Sequence, residues 1–134
     1  MSMDDFRPWY DALQKPSWTP SPETIGMIWT VLYPIIIAVN VFVFVKFFRK
    51  ELSVWVLLPF AINIVANVLF TPIQFGLRNL TLALADILLV WVTIIWAMKA
   101  LWPHYPKVAL AFVPYLVWVS IASVAQSNIT FMNR

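Results

Sequence analysis

The chain has 134 residues, the length of a single domain, and 62% of them are hydrophobic, 16% aromatic and only 11% charged, with a mean hydropathy of +0.81. A water-soluble domain carries about a quarter charged residues, so nine basic and six acidic side chains cannot cover this one. Abundant apolar residues and only two glycines exclude disorder and collagen-like repeats. The absence of cysteine removes disulfides, Cys-built zinc sites and thiol nucleophiles, and a single histidine leaves no His-built metal site. A net charge of +3 without a basic face gives nucleic acid nothing to bind. An integral membrane protein remains.

Residues 1–22 are Pro-rich and begin acidic, unlike a signal peptide. They hold Trp9, Tyr10 and Trp18, and a free tail should lack such aromatics. This stretch is expected to pack as a lid over one mouth of the protein. Ser21, Pro22 and Glu23 then read as a helix start: an N-cap hydroxyl, a proline where no N–H is missed, and an acid at the positive end of the dipole.

Four apolar runs follow, predicting helices over about 24–48, 52–74, 79–101 and 106–129. Each is long enough to cross a hydrocarbon core of roughly 30 Å. Alternating ten-residue segments of a barrel are absent, and backbone in lipid must satisfy its own hydrogen bonds, so the runs are helices. Short connections make them antiparallel neighbours in one transmembrane domain over 1–134. The fold class expected is an all-α membrane bundle of four helices with an N-terminal lid. The basic residues divide almost evenly between the two sides, leaving only a slight preference for both termini outside.

The informative residues are those lipid should reject. Asn63, Asn67, Thr71 and Gln74 form one stripe on the second helix. Asp86 lies between Asn79 and Thr93 at heptad spacing on the third. Trp29, Tyr33 and Asn40 line the first, and Tyr115, Trp118, Ala122 and Gln126 the fourth. Four such stripes converge most economically on a shared interior. Asp86 stands out as the one acid within a span, where a carboxylate costs about 2.5–3.5 kcal/mol even on the mild insertion scale. It is expected to be neutral or held by Asn or Trp donors. The plain alternative for Asp86, Asn63 and Asn67 is interhelical hydrogen bonding without a ligand, and for the Ser120 to Ala125 cluster it is close helix packing. Trp55, Trp91, Trp96 and Trp102 read as lipid-facing or interfacial. No catalytic or metal-ligating set is recognisable.

The run Trp9-Tyr10-Asp11-Ala12-Leu13-Gln14-Lys15-Pro16-Ser17-Trp18-Thr19-Pro20, followed by Trp29, Leu32 and Tyr33, resembles the signature of the TspO/MBR family, the tryptophan-rich sensory and translocator proteins. Asn63, Asn67 and Phe70, the Ala85-Asp86 pair, and Pro114-Tyr115-Leu116-Val117-Trp118-Val119-Ser120-Ile121-Ala122 extend the likeness over almost the whole chain. Two departures are visible. Ser21 separates Pro20 from Pro22 where the family has adjacent prolines, and only eight residues precede Trp9 where the family places the first of five helices.

The resemblance implies an apolar, aromatic ligand pocket. Its residues would be Trp9 and Tyr10 from the lid, Trp29, Asn63, Asn67, Asp86, Trp118 and Ala122. It further implies a receptor, sensor or carrier for a tetrapyrrole such as protoporphyrin IX or haem, or for a sterol such as cholesterol. The tetrapyrrole would be ligand, with no cofactor required. Other expected partners are the lipid bilayer of a prokaryotic cell and a second copy in a homodimer, with no nucleic acid. Two other readings stay open: oxidative porphyrin degradation, and a four-helix exporter, a class whose essential acid sits in the first span, where this chain has none.

Overall fold

The computed structural model describes residues 11–15, 17–19 and 21–133. Among these every regular element is helical: α1 (Pro22–Phe48), α2 (Val54–Thr71), a π-helical turn (Pro72–Gly76), α3 (Leu80–Leu101), a short α4 (Pro106–Leu110) and α5 (Val113–Met132). Four stretches are long and apolar enough to cross a membrane: Glu23–Phe48, Val54–Gly76, Leu80–Leu101 and Pro106–Met132. The chain is a multi-pass integral membrane protein.

Caps explain where the helices begin. Ser21 Oγ accepts from the Thr24 amide at 3.2 Å and opens α1. Asn79 Oδ1 accepts from the Leu82 amide at 2.9 Å and opens α3, so this end of the third helix's polar stripe is a cap rather than an interior contact. Prolines explain two interruptions. Pro114 has no N–H to give, and its ring collides with the carbonyl four residues back. The fourth apolar run therefore breaks into α4 and α5, with Ala111 and Phe112 bonded three residues back to Val108 and Ala109. After Pro72 the backbone widens, and the Leu77 amide reaches the Pro72 carbonyl, five residues back, at 2.9 Å.

The bundle is built on α3. Extensive faces join α2 to α3 and α3 to α5, whereas α1 touches α2 and α5 more lightly. The core between them holds Phe60, Phe112, Tyr115, Ile94 and Leu101, all essentially inaccessible. Outward, Val31, Ile37, Val41 and Val45 give α1 an exposed apolar face, as expected of a helix against hydrocarbon. Trp55, Trp91, Trp96 and Trp102 are exposed too. Trp91 is also a fastener, its Nε1–H donating to Ser120 Oγ at 2.9 Å across α3 and α5.

The α1–α2 turn is a Schellman closure. The Lys50 amide donates to the Phe47 carbonyl at 2.9 Å, and the Glu51 amide to the Lys46 carbonyl at 2.8 Å. Lys46 Nζ also meets Glu51 Oε2 at 3.0 Å, and this contact holds the Glu51 carboxyl below the ordinary carboxylate range. The position that favours glycine is filled by Lys50, at φ 61°. A left-handed residue with a Cβ is strained by about 1–2 kcal/mol, and Lys50 is exposed. Lys50→Gly should therefore stabilise the protein by roughly 0.5–1 kcal/mol, after the greater unfolded-state freedom of glycine is subtracted. Chemical unfolding in detergent checks this; an unchanged or lower midpoint contradicts it.

Candidate functional site

A cavity of about 290 Å³ lies where α1 leans away from the rest of the bundle. Trp29 and Tyr33 of α1, Asn67 and Phe70 of α2, and Trp118 and Ala122 of α5 wall it. The π-turn supplies Gln74 and Phe75, α3 supplies Ile87 and Val90, and Thr19 of the N-terminal segment completes the lining. Tyr33 and Ile121 at its rim are 45% and 43% exposed, so one side opens toward the protein's surface.

Its aromatic wall continues into the core. Trp29 and Tyr33, four residues apart on α1, stack at 5.1 Å. Trp29 meets Tyr115 edge-on at 6.3 Å, and Tyr115 meets Phe112 edge-on at 5.3 Å. The Tyr115 ring is wholly buried, and its hydroxyl joins the two asparagines of α2. It accepts from Asn67 Nδ2 at 2.6 Å and donates to Asn63 Oδ1 at 3.2 Å. Asn63 Nδ2 goes on to Thr93 Oγ1 at 3.0 Å and to the Val90 carbonyl at 3.3 Å on α3. One polar chain thus crosses α2, α5 and α3.

Of the residues expected at a ligand pocket, the cavity brings together Trp29, Asn67, Trp118 and Ala122. Asn63 is not in the wall: at 1% exposure, with both ends of its carboxamide engaged, it sits behind Asn67 as part of the fastening. Asp86 is not in the wall either. It is 9% exposed, and its Oδ2 has no hydrogen-bond partner. The antiparallel register, set by Gln126 and Thr130 on the Leu80 carbonyl and by Trp91 on Ser120, puts Asp86 level with Ser123, whose Oγ is equally unpartnered. Asn40, the far end of the α1 stripe, donates to the Ile36 carbonyl of its own helix at 2.8 Å. Trp9 and Tyr10 lie outside the described residues.

Sequence reasoning passed over Gln74 as a site residue. The available signal was its place on the asparagine stripe; what the stripe does not convey is the π-turn that ends α2. Gln74 is 4% exposed and Trp118 8%. Both line the cavity, and Gln74 Oε1 and Trp118 Nε1 have no hydrogen-bond partner in the protein. An acceptor and a donor are therefore left buried and unpaired in the wall of a mostly apolar chamber. Among the described residues no group of three or more His, Cys, Asp or Glu is placed to hold a metal ion.

Fold and site together define a small multi-pass helical membrane protein with an aromatic chamber inside its bundle. The sequence matches the TspO/MBR family over residues 1–132. It is 38% identical to the tryptophan-rich protein TspO of Bacillus cereus, across 95% of this chain and 82% of that one. It is 32% identical to protein CrtK of Rhodobacter capsulatus, across 93% and 78% respectively, and 31% identical to the human translocator protein, across 86% and 69%. The chain belongs to the TspO/MBR family.

The Tyr115 hydroxyl is the node of the polar chain, and its removal strands a buried acceptor on Asn63 and a donor on Asn67. Tyr115→Phe should accordingly destabilise the protein by roughly 1–3 kcal/mol, the usual cost of leaving buried partners unsatisfied. Thermal unfolding in detergent reads this directly. A melting temperature equal to the unmodified protein's would mean the three helices are held by apolar packing alone.

Proposed function

We propose that the cavity binds a planar hydrophobic ligand, a tetrapyrrole such as protoporphyrin IX or haem, and that the protein serves as its membrane sensor or carrier. The observation that carries this reading is the mostly apolar chamber walled by Trp29, Tyr33, Phe70 and Trp118, in whose wall Trp118 Nε1–H and Gln74 Oε1 are buried without a hydrogen-bond partner. A sterol has one hydroxyl, which both donates and accepts but at a single point. Protoporphyrin carries ring N–H donors and carboxylate acceptors on one flat frame, together with π-faces that suit Trp29, Tyr33 and Trp118. The chamber's volume sits at the small end of ligand sites, which run from about 300 to 1,000 Å³. A tetrapyrrole would enter by one edge and project through the open rim at Tyr33 and Ile121. The name translocator, borne by the human relative, supports the carrier arm.

Residues behind the wall have a supporting part in this reading. Asn63 fixes Tyr115, which in turn fixes Asn67. Asp86 precedes Ile87, a wall residue, so its charge state bears on the chamber at one remove.

Titration of protoporphyrin IX fluorescence against the protein in lipid nanodiscs tests the proposal. Trp29→Ala and Trp118→Ala should each weaken binding by roughly 1–3 kcal/mol if stacking resembles that of bases on aromatic side chains. Trp55→Ala, at a side chain 72% exposed on the first turn of α2, should leave affinity unchanged. Equal losses at all three positions would indicate general destabilisation instead of a site. Cholesterol that displaces the porphyrin yet binds Trp118→Ala undiminished would move the assignment to sterols.

Self-association completes the proposal. The first span, α1, packs on α2 and α5 more lightly than they pack on α3, and a second copy would brace it. Mass measurement in nanodiscs with protoporphyrin bound should give a dimer, and a monomer there would end this part of the reading.

A further inference from the structure

The N-terminal segment is fastened to the far end of the chain by a single side chain. Gln14 donates its backbone N–H to Asn133 Oδ1 at 3.1 Å, and Asn133 Nδ2 returns a hydrogen bond to the Gln14 carbonyl at 2.8 Å. The other Nδ2 proton goes to the Ile129 carbonyl in the last turn of α5 at 2.8 Å. A carboxamide here imitates a strand partner, meeting both backbone groups of one residue 119 positions away. The neighbours dictate its orientation: two carbonyls demand the nitrogen and one amide demands the oxygen. An aspartate has the shape but not the donors.

Both ends of this fastening connect to the chamber. Thr19, five residues beyond Gln14, is part of the chamber's lining, and so is Ile129, whose carbonyl holds Asn133. The C-terminal turn of α5 is itself anchored, because Gln126 Nε2 and Thr130 Oγ1 donate to the Leu80 carbonyl of α3 at 3.5 and 3.2 Å. The segment, in turn, is folded on itself: Lys15 Nζ donates to the carbonyls of Leu13 and Asp11 at 3.0 and 3.4 Å. The stretch 11–15, folded on itself, is thus tied at Gln14 to a fixed post. Gln14 is exposed and Asn133 only half-buried, so water can replace either half of the tie and let it open.

We propose that Asn133 is the latch that holds residues 11–19 across the chamber, and that opening of this latch sets the rate at which ligand enters and leaves. The gating half rests on the ligand reading above; the latching half does not. Asn133 is a positioning residue and needs no contact with the ligand.

The test uses the full chain in nanodiscs. Without ligand, Asn133→Ala and Asn133→Asp should speed amide hydrogen exchange in residues 11–19 about tenfold, with α3 and the body of α5 unchanged. With protoporphyrin IX in stopped flow, both variants should raise the association and dissociation rates together, each about tenfold, and leave Kd within about threefold. The chain has no cysteine, so Gln14→Cys combined with Asn133→Cys gives a defined cross-link. Oxidised, it should slow both rates below those of the unmodified protein, and reduction should raise them to those of Asn133→Ala.

Unchanged exchange in Asn133→Ala overturns the latch. Faster exchange with unaltered porphyrin rates overturns the gate. A fall in affinity with no change in association rate would assign Asn133 to the binding surface and equally overturn the proposal. If protoporphyrin fails to bind the unmodified protein, the ligand reading falls with the gate, and hydrogen exchange alone decides the latch.

Discussion

The Tyr115 hydroxyl is the point on which three of the four spans depend. In a membrane no hydrophobic effect draws helices together, because lipid tails are as apolar as leucine. Association must come from close packing and from polar groups that lipid cannot satisfy. Tyr115 supplies both: a ring buried against Phe112 and Trp29, and a hydroxyl shared by Asn63 and Asn67. Through Asn63 and Thr93 the same chain reaches α3. These bonds fix the rotation and height of α2, α3 and α5 at once, since each partner is short and reaches its acceptor in one register.

The first span is held differently. Trp29 touches the edge of Tyr115 toward one end of α1, and Phe42 meets Tyr105 edge-on at 4.9 Å toward the other. Lys46 covers both of the latter rings at 5.5 and 5.6 Å. Aromatic edges tolerate sliding in a way that an asparagine–tyrosine bond of 2.6 Å does not. The chamber lies along this more forgiving seam. The polar chain fixes three helices as a frame, and the fourth can lean on it with room left between.

Hydropathy alone carried the spans, because apolar length against bilayer thickness is nearly a one-variable problem. Ser21 as a cap was equally plain, its chemistry being local. The site was harder to read for a geometric reason. A stripe such as Asn63, Asn67, Thr71 and Gln74 names a face of a helix but not what stands opposite at each height. At the height of Asn63 the opposing groups are Thr93 and Tyr115, and the stripe becomes fastening. One turn on, Asn67 shares Tyr115 but reaches the chamber, and at Gln74 no protein partner remains. Asn79, Asp86 and Thr93 divide likewise into a cap, an unpaired interface acid and a network member. Heptad spacing could not separate them, since each role is assigned by a neighbouring helix. The latch was invisible for the same reason: Asn133 and Gln14 stand 119 residues apart in sequence.

Polar groups inside this bundle therefore act according to whether the protein completes their hydrogen bonds. Where it does, as for Asn63, Tyr115 and Thr93, they resist separation of the helices, because parting them would expose bare donors and acceptors to hydrocarbon. Where it does not, as for Trp118 and Gln74, a buried donor or acceptor is left without its bond, at a cost of about 1–3 kcal/mol. Both atoms belong to residues of the chamber wall, so this cost is carried beside the cavity and not in the frame that joins the helices. The polar chain behind Asn67 keeps α2 and α5, and with them Trp118 and the π-turn that carries Gln74, at one fixed relative height.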